Sequence, residues 1–237
     1  MFVHMTTQYV PNEYAHIIDN VMVSDKLEAD RKMHGTEVGG HVFTIHERRD
    51  TGEVRLLEDD HNHIVYVGRR WLLQRATALP IKTPTGVTDQ NTWFISWFSC
   101  GSGGAATATP FTPIAPTDAN EELVTIQKIQ GDTNPNGYTY ADTGKKKSIA
   151  TAAVSNIYNP TGTGTQGIYA LFSLVFDFEE YEGAANGANV TLINELALYA
   201  ASSRTAATSW CMFSRYTRPS LPKTSNDKYT FLWYIYF

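Results

Sequence analysis

Cysteine is scarce in this sequence. The two present, Cys100 and Cys211, cannot build a disulfide framework. Each sits among aromatic or apolar neighbours (Trp97 and Phe98; Trp210, Met212 and Phe213), the setting of a buried free thiol. Charge is sparse too, at 18% of residues, below the usual ~25%. What charge there is leans acidic, with a formal net charge of -5. That argues against free nucleic acid as a main partner, because phosphate binding needs clustered Lys and Arg. No apolar run approaches the ~18 residues of a membrane span. Residues 1–10 lack a basic start followed by an apolar stretch. The expectation is a soluble piece made in a reducing cytoplasm, without a membrane partner.

What is abundant is aromatic: 13 Tyr, 11 Phe and 5 Trp in 237 residues. Aromatics serve either a large core or covered subunit contacts. Thr, Gly, Ala and Asn fill the space left by charge, the texture of strands joined by turns. The chain is long enough for one large β domain with an arm. The expected fold is mainly β, a β-sandwich or barrel-like domain over 41–237, with one or two short helices and an N-terminal arm over 1–40.

Within the arm, Tyr14, Ile17, Ile18, Val21 and Leu27 recur at roughly helical spacing before Gly35, Gly39 and Gly40 break the pattern. His41–Glu47 and Glu53–Leu57 flank the turn residues Asp50, Thr51 and Gly52, a hairpin signal. Ile64–Leu79 predicts a helix with Val67, Trp71, Leu72, Arg75 and Leu79 on one face, ended by Pro80. Strands are then expected over Thr92–Cys100, Glu122–Gln130, Tyr138–Ala141, Ser148–Tyr158, Ile168–Phe178, Val190–Ala200, Trp210–Thr217 and Tyr229–Phe237. Ile168–Phe178 is apolar on both faces, which predicts a strand that is central or sandwiched between two layers. Gly101–Thr117 is a long Gly/Ala/Thr/Pro loop, of a length that in a compact domain is usually either functional or disordered until bound. The apolar Phe237 at the end of the last strand calls for cover.

Several motifs invite chemistry and carry little. Lys145–Lys147 reads as a solvated loop or strand edge rather than a phosphate site. Asp59, Asp60, His61 and His63 could hold a metal, but a site needs convergent ligands, and this is one local cluster. Gly101, Gly103 and Gly104 mimic a phosphate loop without its Lys-Ser/Thr pair or following helix. They suit a sharp turn or a close backbone approach instead. No Gly-x-Ser-x-Gly elbow is present, and a Ser/His/Asp triad is a matter of geometry. Asp177, Glu179, Glu180 and Glu182 raise a glycosidase or calcium reading, set against a solvated strand edge. No cofactor and no small-molecule substrate is expected, and no enzymatic role.

The last 45 or so residues hold the most distinctive blocks: Ile193-Asn194-Glu195, then Phe213-Ser214-Arg215, then Pro219 to Lys223, then the aromatic run Tyr229–Phe237. This order resembles a C-terminal pattern of structural proteins in tailed-bacteriophage virions. His61-Asn62, Gly68-Arg69 and the aromatic strand leading into Gly101-Ser102-Gly103-Gly104 are similar to upstream parts of the same pattern. The resemblance implies a virion protein of the neck or collar, tail or baseplate, partnered by its own copies and by other virion proteins. A receptor- or glycan-binding β-sandwich or a capsid decoration protein is the alternative. The residues agree with a structural role. Asn194 and Glu195 interrupt an apolar strand and need partners. Arg215 on the next strand is the natural one for Glu195, and a bidentate contact would fix register. Pro219 and Pro222 read as a stiff linker to the last strand.

Overall fold

A computed structural model describes residues 39–79, 81–83, 86–88, 90, 92–106, 114, 122–131, 134, 136–159, 167–180 and 191–236. The expected arm is outside that set apart from its last two residues, and so are Phe237, Glu182 and most of Gly101–Thr117 beyond residue 106. Twelve strands and one α-helix are found among the described residues, so the fold is mainly β with a short helix, as the sequence predicts.

The hairpin is present. Strand β1 (Gly39–Arg48) turns through Gly52, at φ +66°, into β2 (Val54–Ile64). Gly39 and Gly40, expected to end the helical pattern of the arm, open β1, paired with Tyr236 and Ile235. Helix α1 (Tyr66–Thr77) follows, and Ala78 closes it in the left-handed region. Its buried face is Val67, Gly68, Trp71 and Gln74, not the expected stripe through Leu72, Arg75 and Leu79. Val67, Trp71 and Gln74 keep the i, i+4, i+7 spacing, and Gln74 is held inside by accepting the Gln90 backbone N–H. Trp71 packs edge-on to Phe213.

Next come β3 (Ile81–Thr83), β4 (Gly86–Thr88), β5 (Phe94–Gly101), β6 (Tyr140–Ala141) and β7 (Lys146–Ser148). They are followed by β8 (Val154–Asn159), β9 (Gly167–Phe176), β10 (Thr191–Ala201), β11 (Cys211–Lys223) and β12 (Asp227–Tyr236). Three expectations fail here. Residues 122–130 form no strand; Ile126 makes one isolated bridge to Gly101, and Ile129 and Gln130 donate to the Gly144 carbonyl. Ser148–Tyr158 is split by a 3-10 turn at Thr151–Ala153. The Pro219/Pro222 linker is the continuation of β11, with Pro222 opposite Leu192. Pro219 is accommodated because Arg218, Pro219 and Ser220 bulge against Asn194 alone, the place where a strand tolerates proline.

The sequence draws one main domain over 41–237; contacts between residues group the chain into two compact units interleaved in sequence. One unit contains β1, β2 up to His61, β8, β9 and β12. There β12 lies between β1 and β9, antiparallel to both, and β9 in turn pairs with β8, so β9 is central as expected. A strand paired on both sides is where a nearly continuous apolar run can be used. Phe231, Leu232, Trp233, Tyr234, Ile235 and Tyr236 are all buried.

The other unit contains the end of β2, α1, β3 to β7, β10 and β11. Its main sheet runs β6-β7-β5-β10-β11 and ends on the last residues of β2, with His63 and Ile64 opposite Arg215 and Ser214. The core here gathers Val65, Val67, Trp97, Leu123, Ala197, Tyr199 and Met212. Both thiols are free and buried in this unit.

Candidate functional site

Three charged centres of the second unit are built from side chains that a charge-poor chain has placed inside. The first is Glu195 on β10. Its side chain is wholly buried and Arg215 is 3% exposed. Arg215 donates to Oε2 through Nε at 3.1 Å and Nη2 at 2.6 Å. Glu195 sits opposite Thr217 and Arg215 opposite Ala197, so the pair is diagonal across β10 and β11. Both of these guanidinium bonds end on Oε2, and the other oxygen is engaged by backbone. Oε1 accepts the backbone N–H of Gly103 at 3.1 Å and of Thr125 at 3.0 Å, while Oε2 also accepts that of Val124 at 3.2 Å.

One carboxylate therefore ties β11 to both stems of the loop that leaves β5. Asn194 extends the tie: its Oδ1 accepts the Gly104 N–H at 2.7 Å, and its amide donates to Ser220 Oγ. The stems also hold each other. Ser102 N–H donates to the Thr125 carbonyl and Gln127 N–H to that of Cys100. The glycines are required by closeness to their own chain. A Cβ on Gly101 would lie 2.5 Å from Glu195 Oε1, and one on Gly104 would lie 2.4 Å from the Asn194 carbonyl oxygen.

The second centre is Lys147 and Glu180. Two of the three lysines of the run are neither solvated nor on an edge: β7 lies between β6 and β5, and Lys146 and Lys147 are 1% and 2% exposed. Lys147 Nζ is 2.5 Å from Glu180 Oε2. It also lies 3.3 Å from the centroid of the Tyr138 ring, a cation–π seat. Glu180 is not a solvated edge either, at 4% exposed. Its Oε2 accepts the Asp177 N–H at 2.7 Å and its Oε1 accepts the Tyr140 hydroxyl. Asp177 accepts the Tyr138 hydroxyl at 3.1 Å and the Asn136 amide. Burial brings the Lys147 ammonium down to about 8, against the opposing pull of Glu180. Burial and the neighbouring carboxylates push both tyrosines up, so they remain hydroxyl donors.

The third centre is Lys146. Its ammonium is 3.1 Å from Glu122 and 3.3 Å from Asp142, and it faces the rings of Tyr199 and Trp210. The Tyr199 hydroxyl donates to Glu122. Both carboxylates are partly open to solvent, unlike Glu180 and Glu195. Asp142, Thr143 and Gly144 take successive positive φ values (52°, 53° and 87°), turning the chain so that Lys146 enters the core.

Among the residues singled out from sequence, Gly101, Gly103, Gly104, Glu195 and Arg215 come together at one place, the loop base. Phe237 lies outside the described residues, as do the side chains of Asp59, Asp60 and His61. Among the described residues no group of three or more His, Cys, Asp or Glu could hold a metal ion. No helix of the described residues is long and apolar enough to cross a membrane. Sequence reasoning missed Lys147, Glu180 and the Tyr138/Tyr140 pair. The available signal was a short strand with two adjacent lysines in a chain where charge is rare.

The antiparallel fold and these three centres define a β protein in which Glu195, Glu180 and Lys146 are fastened to partner side chains, and both glutamates also to backbone. Comparison with protein-family models, with curated proteins and with solved structures yields no match.

Proposed function

We propose that this chain is a non-enzymatic structural subunit of a tailed-bacteriophage virion, in the neck or collar, the tail or the baseplate, working through contacts with its own copies and with other virion proteins. The C-terminal blocks that resemble such proteins support the placement in a virion. The observation that carries the assembly role is the loop base. A wholly buried carboxylate and Asn194 hold the stems at Gly103, Gly104, Val124 and Thr125, and three apolar side chains next to them are left open.

Ile114, Val124 and Leu192 are 50%, 66% and 44% exposed. Ile114 N–H donates to the Gly104 carbonyl, Val124 flanks Gly103, and Leu192 is two residues from Asn194 on the same strand. Apolar side chains grouped on a rigid foundation are suited to burial by a neighbour. Pre-ordering the stems lowers the entropy cost of docking.

Sedimentation velocity over a wide concentration range tests the reading. Association that rises with concentration, and falls by at least about tenfold in Val124→Asp, is the expected result. A chain that stays monomeric throughout, alone and with the other proteins of its particle, sinks it.

A further inference from the structure

The Lys147–Glu180 contact differs from the other buried charges in one chemical respect. Arg215 cannot acylate under ordinary conditions, and Lys146 faces carboxylates that water reaches. Lys147 and Glu180 are an amine and a carboxyl group, both shielded from water, with Nζ 2.5 Å from Oε2. We propose that Lys147 and Glu180 condense into an intrachain amide, so that β7 and the segment after β9 are covalently joined in the mature protein.

In the step, Nζ attacks Cδ of Glu180, forming the N–C bond. The Cδ–Oε2 bond breaks, and Oε2 departs as water with two of the three ammonium protons. An ammonium and a carboxylate become one neutral amide, so the charge balances and nothing is oxidised or reduced. An Nζ–Oε2 distance of 2.5 Å leaves the carbon within the ~3–3.5 Å of a near-attack arrangement. A turn of the carboxyl group about Cγ–Cδ brings its face to the amine.

The surroundings suit each stage. The depressed ammonium populates neutral amine close to neutral pH. As the tetrahedral intermediate forms, negative charge collects on Oε1, where the Tyr140 hydroxyl already donates. The Asp177 N–H on Oε2 anchors the carboxyl group beside the amine before that turn. Tyr138 lies beneath Nζ, with its hydroxyl fixed by Asp177. The driving force follows from burial. A buried ion pair bears the desolvation of two charges, and a neutral amide removes both. Water, the reagent of the reverse reaction, is kept out by the same burial.

Mass spectrometry of the purified full chain is the test. The expected intact mass is one water below that of the sequence. Digestion should then release a branched peptide joining the segments around Lys147 and Glu180. Lys147→Met, which keeps an apolar stem and removes the amine, should show the full sequence mass. A wild-type chain at full mass overturns the proposal. So does a one-water loss that persists in Lys147→Met or maps to other residues. If Lys147→Met does not fold, the peptide map of the wild-type chain decides alone.

Discussion

Glu195 is saturated: five donors converge on two oxygens, one guanidinium and three backbone amides among them. Removing Arg215 leaves a buried carboxylate without its counter-charge, and breaking a buried pair costs ~3–5 kcal/mol. Arg215→Ala is therefore expected to lower the unfolding free energy by that amount in urea titrations of the isolated chain. Replacing both partners by apolar residues should cost less for the pair itself, but it orphans the amides of Gly103, Val124 and Thr125. The double variant is expected to keep a stable sheet while the loop stems exchange their amide protons faster. An unchanged midpoint in Arg215→Ala would mean that the pair contributes no more than an exposed one. At the same scale, burial pushes the Cys211 thiol up from its ordinary 9.0 to about 12, and Cys100 further still. The folded thiols keep their protons where the unfolded ones release them. Their contribution is thus complete below about pH 9 and fades as pH rises towards the folded values, by about 1.4 kcal/mol per pH unit for each thiol. A thiol reagent at pH 8 should find neither cysteine in the native chain and both after denaturation.

At the scale of elements, α1 is seated on β11 by a glycine. A Cβ on Gly68 would lie 2.1 Å from the Phe213 carbonyl oxygen, an atom that also accepts the Val65 N–H. The atom in the way is backbone, so it cannot swing aside. Gly68→Ala is expected to destabilise by ~1–3 kcal/mol, as overpacking does. Leu73→Lys on the open side of the same helix should stay within ~0.5 kcal/mol. Thermal denaturation of the two variants side by side checks the orientation of α1; similar losses in both would show that the buried face is misassigned. The β10–β11 ladder makes a related point about prolines. Pro219 lies within a strand because the bulge opposite Asn194 removes the need for its missing donor.

At the scale of the whole molecule, β1 starts at Gly39 and pairs along its full length with β12, from Gly39 opposite Tyr236 to Arg48 opposite Asp227. Residues 1–38 precede that ladder and carry their own apolar pattern, Tyr14, Ile17, Ile18, Val21 and Leu27. A chain beginning at Gly39 is expected to keep its strand content by circular dichroism and to associate at least about tenfold more weakly. Equal association by light scattering would mean that the first 38 residues take no part in assembly. Protease digestion of Gly101–Thr117 gives a parallel measurement. Cutting in the free subunit and protection in the assembly are expected, and equal cutting in both states would count against an interface there.

The sequence by itself determined the class of fold, the hairpin at Asp50–Gly52, the centrality of β9, the burial of both thiols and the pairing of Glu195 with Arg215. Each of these follows from a local period, a turn residue, or a polar group stranded in an apolar strand, and such signals survive without coordinates. Tertiary structure alone decided the rest. Residues 122–130 have a strand-like composition, yet only Gln127 donates to β5, at Cys100; Val124 and Thr125 donate to Glu195, and Ile129 and Gln130 to Gly144, so the backbone donors are satisfied without a continuous ladder. Lys146 and Lys147 look like solvated charge. They are buried because Tyr138, Tyr199, Trp210, Glu122, Asp142 and Glu180 meet around them. Those partners come from segments up to tens of residues away, and only the folded chain brings them within the few ångströms over which charges and rings act.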